Sequence, residues 1–346
     1  MRIKEFARTI GLSPTTVSQA ISGTGRVSPQ TRALVLRRMR ELGYVPNPHA
    51  QQLVTGRSRI VVLHHTDQDI FADLYLIELA HQVQHALRAR GCGLLLDTAN
   101  DFQDEDYPLR DWLDSAAVDG VMLVRGWSEV HGWMRRFASA RTPVVLFGDD
   151  DYPDLPHVGN VRFDNSRALR QAVDLLAAHG HRRIGYLGLR APDTTEELLR
   201  RCLAEHGLSL PSPLAVCAGF TMADGVAAAR HLLSLPTPPT AVVCRKDDLA
   251  IGALNAAAQM GVRVPRELAV IGHDDVPMAA ITDPPLTTLR IHCDRLGAEA
   301  VDLLFTLLEN PDARPGPRTV EADLIVRDSV AGTPSRRRRP VPALRE

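Results

Sequence analysis

The sequence predicts an α/β protein in which a small helical head precedes a two-lobed body built on parallel sheets. The 346 residues are enough for two or three domains at about 100 to 200 residues each. The first fifty residues carry apolar side chains at helical spacing. From Arg59 onward, short apolar runs alternate with helical patterns, and the alternation restarts after Asp164, which is typical of two sets of parallel α/β units.

The charge of the chain is unevenly distributed. Residues 1–59 contain ten basic and two acidic residues, a net charge of +8, whereas residues 60–330 have a net charge of −13 and the tail from Ala331 has +4. The three regional charges add up to a formal net charge of −1 for the whole chain, which does not show this asymmetry. A basic head on an acidic body indicates that one end binds a polyanion, and a nucleic-acid phosphate backbone is the obvious candidate.

The sequence gives no sign of a membrane segment. No run approaches the ~18 apolar residues of a membrane span, and the first residues are charged where a signal peptide would be apolar. We therefore expect a cytoplasmic protein with no membrane partner.

Enzymatic and metal-binding motifs are also missing. Neither a nucleophile-elbow nor a phosphate-loop pattern is found, and the five scattered cysteines form no C-x-x-C pair. His81 and His85 have a zinc-ligand spacing, but no glutamate follows His81, so a solvated helix face is the better interpretation. The sequence therefore predicts no enzyme, no cofactor and no metal site.

The head has the pattern of three short helices. The first ends at Gly11, and Ser13 can cap a second helix that has Pro14 at its first position. The third begins at Ser28 and is expected to end near Gly43. The residues expected to face the core are Ile3, Phe6, Ala7 and Ile10 in the first helix, Val17, Ala20 and Ile21 in the second, and Ala33, Leu36 and Met39 in the third, where Val35 is a further candidate.

Two short helices joined by a tight turn and backed by a third predict a helix-turn-helix, whose second helix can enter a major groove. A generic three-helix bundle with a solvated polar face is the alternative, and the local charge of +8 disfavours it.

The segment IKEFARTIGLSPTTVSQAISGTGRV and the residues that follow it resemble the head and hinge of the LacI/GalR family of bacterial transcription regulators. The segments HGHRRIGYLG, AVVCRKDDLAIGAL and DPPLTTLR extend the resemblance to about Val326. It implies a periplasmic-binding-protein-like (type I) body behind the helix-turn-helix. The implied domains are a DNA-binding head at 1–46, a hinge helix and linker at 47–58, a first lobe at 59–161 with 290–320, a second lobe at 162–289 with 321–330, and a disordered basic tail at 331–346.

The resemblance also implies which residues contact DNA. Pro14, Thr15 and Gln19 fall at base-reading positions of the second helix, and a glutamine amide can bond adenine N6 and N7 together. Gln19 is therefore expected to prefer an A·T pair. Leu53 falls where family members insert a leucine into the minor groove, although an ordinary linker leucine is the alternative. The expected DNA contacts are Ser13, Pro14, Thr15, Thr16, Ser18, Gln19, Asn47, Ala50 and Leu53.

A ligand site between the lobes is implied in the same way. Aromatic faces flanked by charged groups suit a polyhydroxylated ligand, a sugar or a derivative of one. The chain departs from the family at Lys246, where asparagine is usual, and at Thr195, where an arginine often binds the effector, so Arg190 is considered as its substitute. The expected effector-binding residues are Phe71, Arg125, Arg190, Phe220, Asp247 and Asp274.

These features predict a homodimeric repressor that binds a palindromic double-stranded operator under the control of a small effector. An activator and an effector-independent regulator remain open alternatives. A sugar-binding transport component would share the two-lobed body, but it requires a signal peptide and has no basic head.

Overall fold

The computed structural model describes residues 1–23, 25–47, 52, 55–66, 73–99, 111–112, 115, 117–124, 142–148, 152, 155–189, 193–310 and 312–331. These residues form a helical head and two six-stranded sheets with helices packed on them. The predicted α/β class is confirmed. Within the described ranges, no helix is long and apolar enough to cross a membrane.

The helices and strands follow one another along the chain. The helices are α1 (Ile3–Thr9), α2 (Pro14–Ser22), α3 (Pro29–Glu41), α4 (Leu74–Ala89), α5 (Ser166–Ala178), α6 (Thr194–Glu205), α7 (Met222–Leu233), α8 (Asp247–Gln259) and α9 (Cys293–Glu309). The strands are β1 (Ile60–Thr66), β2 (Gly93–Ala99), β3 (Gly120–Val124), β4 (Val144–Phe147), β5 (Val158–Asp164), β6 (Ile184–Gly188), β7 (Ala215–Cys217), β8 (Ala241–Cys244), β9 (Ala269–Asp274), β10 (Thr287–Arg290), β11 (Arg318–Glu321) and β12 (Asp323–Ile325).

Side-chain caps start the second and third helices where the sequence predicts. The Ser13 hydroxyl oxygen accepts a hydrogen bond from the Thr16 amide at 3.0 Å, and the Ser28 hydroxyl oxygen accepts one from the Thr31 amide at 3.1 Å. Each cap satisfies an amide that has no partner inside the helix. The three helices enclose a core of fully or almost fully buried side chains: Phe6, Ala7, Val17, Ala20, Val35 and Tyr44.

The prediction for the buried face of α3 was partly wrong. Ala33 is exposed and Leu36 is 40% exposed, whereas Val35 is fully buried and Met39 is half-buried. The consecutive apolar residues from Ala33 to Leu36 leave the helical phase ambiguous in the sequence. Packing against α1 and α2 resolves it in favour of Val35.

Each lobe is organised around one sheet. The first sheet has the order β11-β5-β4-β3-β1-β2, and all its strands are parallel. The second has the order β12-β10-β9-β8-β6-β7 and is parallel except for β12, which pairs antiparallel with β10. The carboxyl ends of parallel strands meet at one edge of a sheet, where ligand sites of open α/β folds lie.

The chain passes between the sheets three times, a few residues later than predicted. β5 pairs with β4 and β11 as far as Asp164, so the first crossing follows that residue rather than residue 161. The second lies between Arg290 and Cys293, and the third is at Ala322, between β11 and β12. Backbone pairing extends these strands beyond their last apolar residue, which hydrophobicity alone does not indicate.

Candidate nucleic-acid interface and inter-lobe site

The polar face of α2 points away from the head core. Pro14 and Thr15 are exposed, and Thr16 and Ser18 are half-buried. The Ser13 and Thr16 hydroxyl groups lie 2.8 Å apart at the start of the helix. The helix therefore exposes its first turn, which carries the positive end of the backbone dipole. A recognition helix must expose this turn to reach DNA.

The side chain of Gln19 is half-buried beside Gly25. Its side chain rests on Gly25, so that a Cβ on Gly25 would come within 2.6 Å of the Gln19 Cδ atom, and Gly25 has φ +79°. Glycine is suited to this position by both the close approach and the backbone angle. The base preference of Gln19 stays a prediction.

Exposed cations surround the recognition helix. Arg38 is paired with Glu41 at 2.9 Å, and Arg37 lies 3.7 Å from the same carboxylate. Exposed ion pairs of this kind contribute little to stability, and the cations greatly outnumber the two acids of the head. The exposed basic residues of the three-helix head are Arg2, Lys4, Arg8, Arg26, Arg32, Arg37, Arg38 and Arg40.

A cleft of about 490 Å³ separates the head from the segment that leads to the body. Asn47, one of the expected DNA contacts, lines it together with Ser18 and Thr55. Within the predicted hinge helix, the Gly56 amide donates to the Gln52 carbonyl oxygen at 2.8 Å, which is a helical hydrogen bond. Ala50 and Leu53 lie outside the described residues.

The chain that leaves the hinge is fixed to the first lobe by Asp119. One carboxylate oxygen accepts from the Ser58 amide at 2.6 Å and the Ser58 hydroxyl at 2.8 Å, and the other accepts from the Arg59 amide at 3.0 Å. Asp119 directly precedes β3, a central strand of the first sheet. Arg59 turns the chain with φ +60°, so its path into β1 is tightly defined.

The second lobe brings three of the expected effector residues to one edge of its sheet. Phe220 follows β7, Asp247 follows β8, and Asp274 ends β9. The remaining three expected residues, Phe71, Arg125 and Arg190, lie outside the described residues.

Asp247 is held inside the second lobe by two hydrogen bonds, and its role in effector binding stays a prediction. It is fully buried; one carboxyl oxygen accepts from the Val276 amide at 2.9 Å and the other from the Thr288 hydroxyl at 2.6 Å. Burial, followed by the nearby Asp274 carboxyl, raises its pKa well above the ordinary range. Asp247 therefore connects β10 to the loop that follows β9, inside the second lobe. Each of its carboxyl oxygens accepts one of these hydrogen bonds.

Asp274 has the properties expected of a ligand contact. It is 6% exposed, and one carboxyl oxygen accepts from His273 Nδ1 at 3.0 Å, while the other has no hydrogen-bond partner among the described residues. Burial raises its pKa to about 7. Because buried polar atoms are normally paired, a ligand hydroxyl or amine is a suitable partner for this oxygen.

His273 supports Asp274 as a neutral imidazole. His273 Nε2 lies 3.1 Å from the Asn165 amide nitrogen, and His273 Nδ1 lies 3.0 Å from Asp274 and 3.4 Å from Arg245 Nη1. Burial lowers the pKa of His273 well below its ordinary value, and the Arg245 charge lowers it further. Asn165 stands at the first crossing between the lobes, so this hydrogen bond ties that crossing to β9.

Sequence reasoning missed several charged groups of the inter-lobe site. Lys246 contacts Asp73 of the first lobe and lies 3.8 Å from Asp248 Oδ2. Arg245 lies over the ring of Phe163, 5.9 Å from its centroid. The sequence contains one signal that distinguishes Lys246. Among the 40 basic residues of the chain, only Lys4 and Lys246 are lysines.

A second charged cluster joins two crossings. Asp275, with φ +58°, accepts from Arg290 Nε at 2.6 Å through one oxygen and from Arg327 at 2.6 Å through the other. Arg290 ends β10 just before the second crossing, and Arg327 follows β12, just after the third. A cavity of about 370 Å³ lies beside these residues and extends to Tyr75 and Glu78 of α4.

The buried carboxyl of Asp274 makes the stability of the protein dependent on pH. Its pKa is raised in the folded protein to about 7, so its contribution to stability is present below pH 4 and is lost as pH rises through 7. We expect the free energy of unfolding of the wild type, relative to Asp274→Asn, to fall by a few kcal/mol between pH 4.5 and 7.5, at about 1.4 kcal/mol per pKa unit. Urea unfolding at both pH values measures this, and parallel profiles for the two proteins would contradict it.

Comparison with known proteins identifies the family. Residues 2–47 match the family described as bacterial regulatory proteins, lacI family, and residues 173–330 match a periplasmic binding protein-like domain. The chain is 30% identical to the HTH-type transcriptional repressor PurR of Pasteurella multocida, covering 95% of this chain and 98% of that one. It is similar to the structure of a complex of transcriptional regulator CelR with cellobiose, with 29% identity, TM-score 0.71, and 95% and 99% of the two chains covered.

It also shares its fold with a Lac repressor dimer bound to operator and the anti-inducer ONPF. The TM-score is 0.77 at 22% identity, and 96% of this chain and 99% of that one are covered. Three findings agree: the capped recognition helix, the two sheets of mostly parallel strands, and these similarities. The chain therefore belongs to the LacI family of bacterial transcription regulators.

Proposed function

We propose that two copies of this chain bind a palindromic DNA operator as a repressor and that a small polyhydroxylated ligand between the lobes controls this binding. One observation supports the proposal most directly. Asp119 connects the basic DNA-binding head to a body of the ligand-binding type. Such a regulator acts where bacterial DNA is, in the cytoplasm.

Pairing of two chains is supported by the surface of the second lobe. Ile281 is 80% exposed and Met278 is 39% exposed on one short segment. Neighbouring exposed apolar side chains often mark a protein interface. Two heads related by a two-fold axis would then meet half-sites about one helical turn apart.

The ligand class follows from the groups at the sheet edge. Within the described part of the chain, Asp274 has a carboxyl oxygen without a hydrogen-bond partner and Phe220 has an aromatic face, which together suit hydroxyl donors on an apolar ring face. The related CelR structure contains cellobiose. A sugar or a sugar derivative is accordingly the proposed effector, and a rise in melting temperature with a panel of mono- and disaccharides would identify it.

Control of DNA binding requires a physical connection between ligand and head. A ligand that changes the position of the first lobe would move Asp119 and, with it, Ser58 and Arg59 at the end of the hinge. By thermodynamic linkage, operator DNA must then change ligand affinity by the same factor.

Selection from random duplexes with the full chain tests operator binding. We expect inverted repeats to be recovered, and affinity for the selected duplex to fall by about 10³-fold between 50 and 200 mM salt, as for six or more phosphate contacts. No preference for a symmetric duplex over random competitor at moderate salt would contradict the proposal.

The role of Gln19 can be tested in the same selection. Gln19→Ala is expected to relax the preference for A·T at one position of each half-site, because each bidentate base contact contributes about 1 to 3 kcal/mol of discrimination. Thr9→Ala, in the preceding helix, provides a control outside the expected contacts. An unchanged consensus with Gln19→Ala would disprove the base-reading role.

A further inference from the structure

A buried ion pair connects the two lobes. The Lys246 ammonium group contacts Asp73 Oδ2, and the two side chains are 6% and 9% exposed. Asp73 directly precedes α4 of the first lobe, and Lys246 directly precedes α8 of the second. The pair joins residues 173 positions apart in the chain.

Asp73 divides its carboxylate between two tasks. Oδ1 accepts from the amides of Tyr75 and Leu76 at 3.0 and 3.2 Å, which caps α4. The other oxygen, Oδ2, contacts the Lys246 ammonium group. One carboxylate therefore connects the start of α4 to Lys246.

Lys246 occupies a position at which a ligand would meet the second lobe. Its ammonium nitrogen lies 3.8 Å from Asp248 Oδ2 and 6.0 Å from the centroid of the Phe220 ring. Carboxylates of both lobes thus surround one cation that the chain itself supplies. An asparagine, which is usual here in the family, has neither the length nor the charge to make this connection.

We propose that the Lys246–Asp73 ion pair is a clasp that holds the two lobes together when no ligand is bound. Both groups are shielded from water in this arrangement, which strengthens their attraction, while separation of the lobes would let water hydrate each of them. The attraction between the two charges favours the closed pair, whereas their hydration favours separation. A ligand that offers its own polar groups to Lys246 and Asp73 can therefore release the clasp.

The composition of the chain provides a direct probe. Because Lys4 and Lys246 are the only lysines, an amine-reactive reagent followed by peptide mass spectrometry reports on one lysine in the head and one in the clasp. Lys4 is exposed and serves as the internal reference. We expect Lys246 of the wild-type protein to react at least ten-fold more slowly than Lys4.

Asp73→Asn breaks the clasp selectively. Asparagine keeps the oxygen that caps α4 and removes the charge that holds Lys246. We expect the reaction of Lys246 to become at least five-fold faster and that of Lys4 to stay unchanged. Asp224→Asn, a matched change at the start of α7 within the second lobe, should leave both rates unchanged. Equal protection of Lys246 in Asp73→Asn and wild type, or reaction of wild-type Lys246 as fast as Lys4, would overturn the clasp.

A second variant covers the possibility that Asp73→Asn does not fold. Lys246→Met keeps the length of the side chain without its charge, and hydrogen exchange should then become faster at the amides of Tyr75 and Leu76. Exchange identical to that of the wild type would contradict the proposal.

The effect of the clasp on DNA binding rests on the proposed function. Without effector, Asp73→Asn should bind the selected operator at least five-fold more weakly than the wild type does. Faster labelling with unchanged operator affinity would uphold the clasp and overturn its control of the heads. If the wild type prefers no symmetric duplex, the proposed function fails, and the labelling rates still decide whether the clasp exists.

Discussion

The carboxylate of Asp119 fixes the point at which the head segment joins the body. Three hydrogen bonds hold Ser58 and Arg59 against the amino end of β3, so the end of the hinge has to follow the first sheet. Charge-assisted hydrogen bonds that backbone amides donate to a carboxylate are among the stronger ones in proteins. A change in the first lobe can therefore reach the hinge through one short connection rather than through a long chain of side-chain contacts.

Buried charged groups lie where the two lobes meet. Burial raises the pKa of Asp248 to about 6, against the opposing effect of Lys246, and raises that of Asp274 to about 7. Charges in such an environment are sensitive to small changes in their partners, because the loss of one partner leaves the other poorly compensated. This sensitivity suits a site where the binding of a small molecule has to change the relation of two lobes.

Local signals in the sequence predicted most of the fold. The Ser13-Pro14 start of α2 depends on nearby residues alone, and it was found where it was predicted. The phase of α3 and the points at which the chain crosses between the lobes depend on packing and on pairing with distant strands. For this reason, the sequence misplaced them by a few residues or by part of a helical turn.

The candidate site was harder to predict than the fold. Family position alone assigns Asp247 to the ligand; its oxygens accept hydrogen bonds from Val276 and Thr288 inside the lobe, and the ligand contact stays a prediction. Lys246 was noted as a departure without a role, since its partner Asp73 is far away in the sequence. Whether a polar residue faces a ligand or its own lobe depends on three-dimensional contacts that spacing along the chain does not encode.

Removal of the Asp119 carboxylate tests the central claim, that the position of the body controls the heads through this junction. In the full chain, operator affinity of Asp119→Ala would be compared with that of the wild type and of Asp302→Ala, an exposed acid of α9. We expect at least a ten-fold loss of affinity for Asp119→Ala alone, with thermal unfolding showing that the body remains folded. Unchanged operator affinity in folded Asp119→Ala would contradict the account.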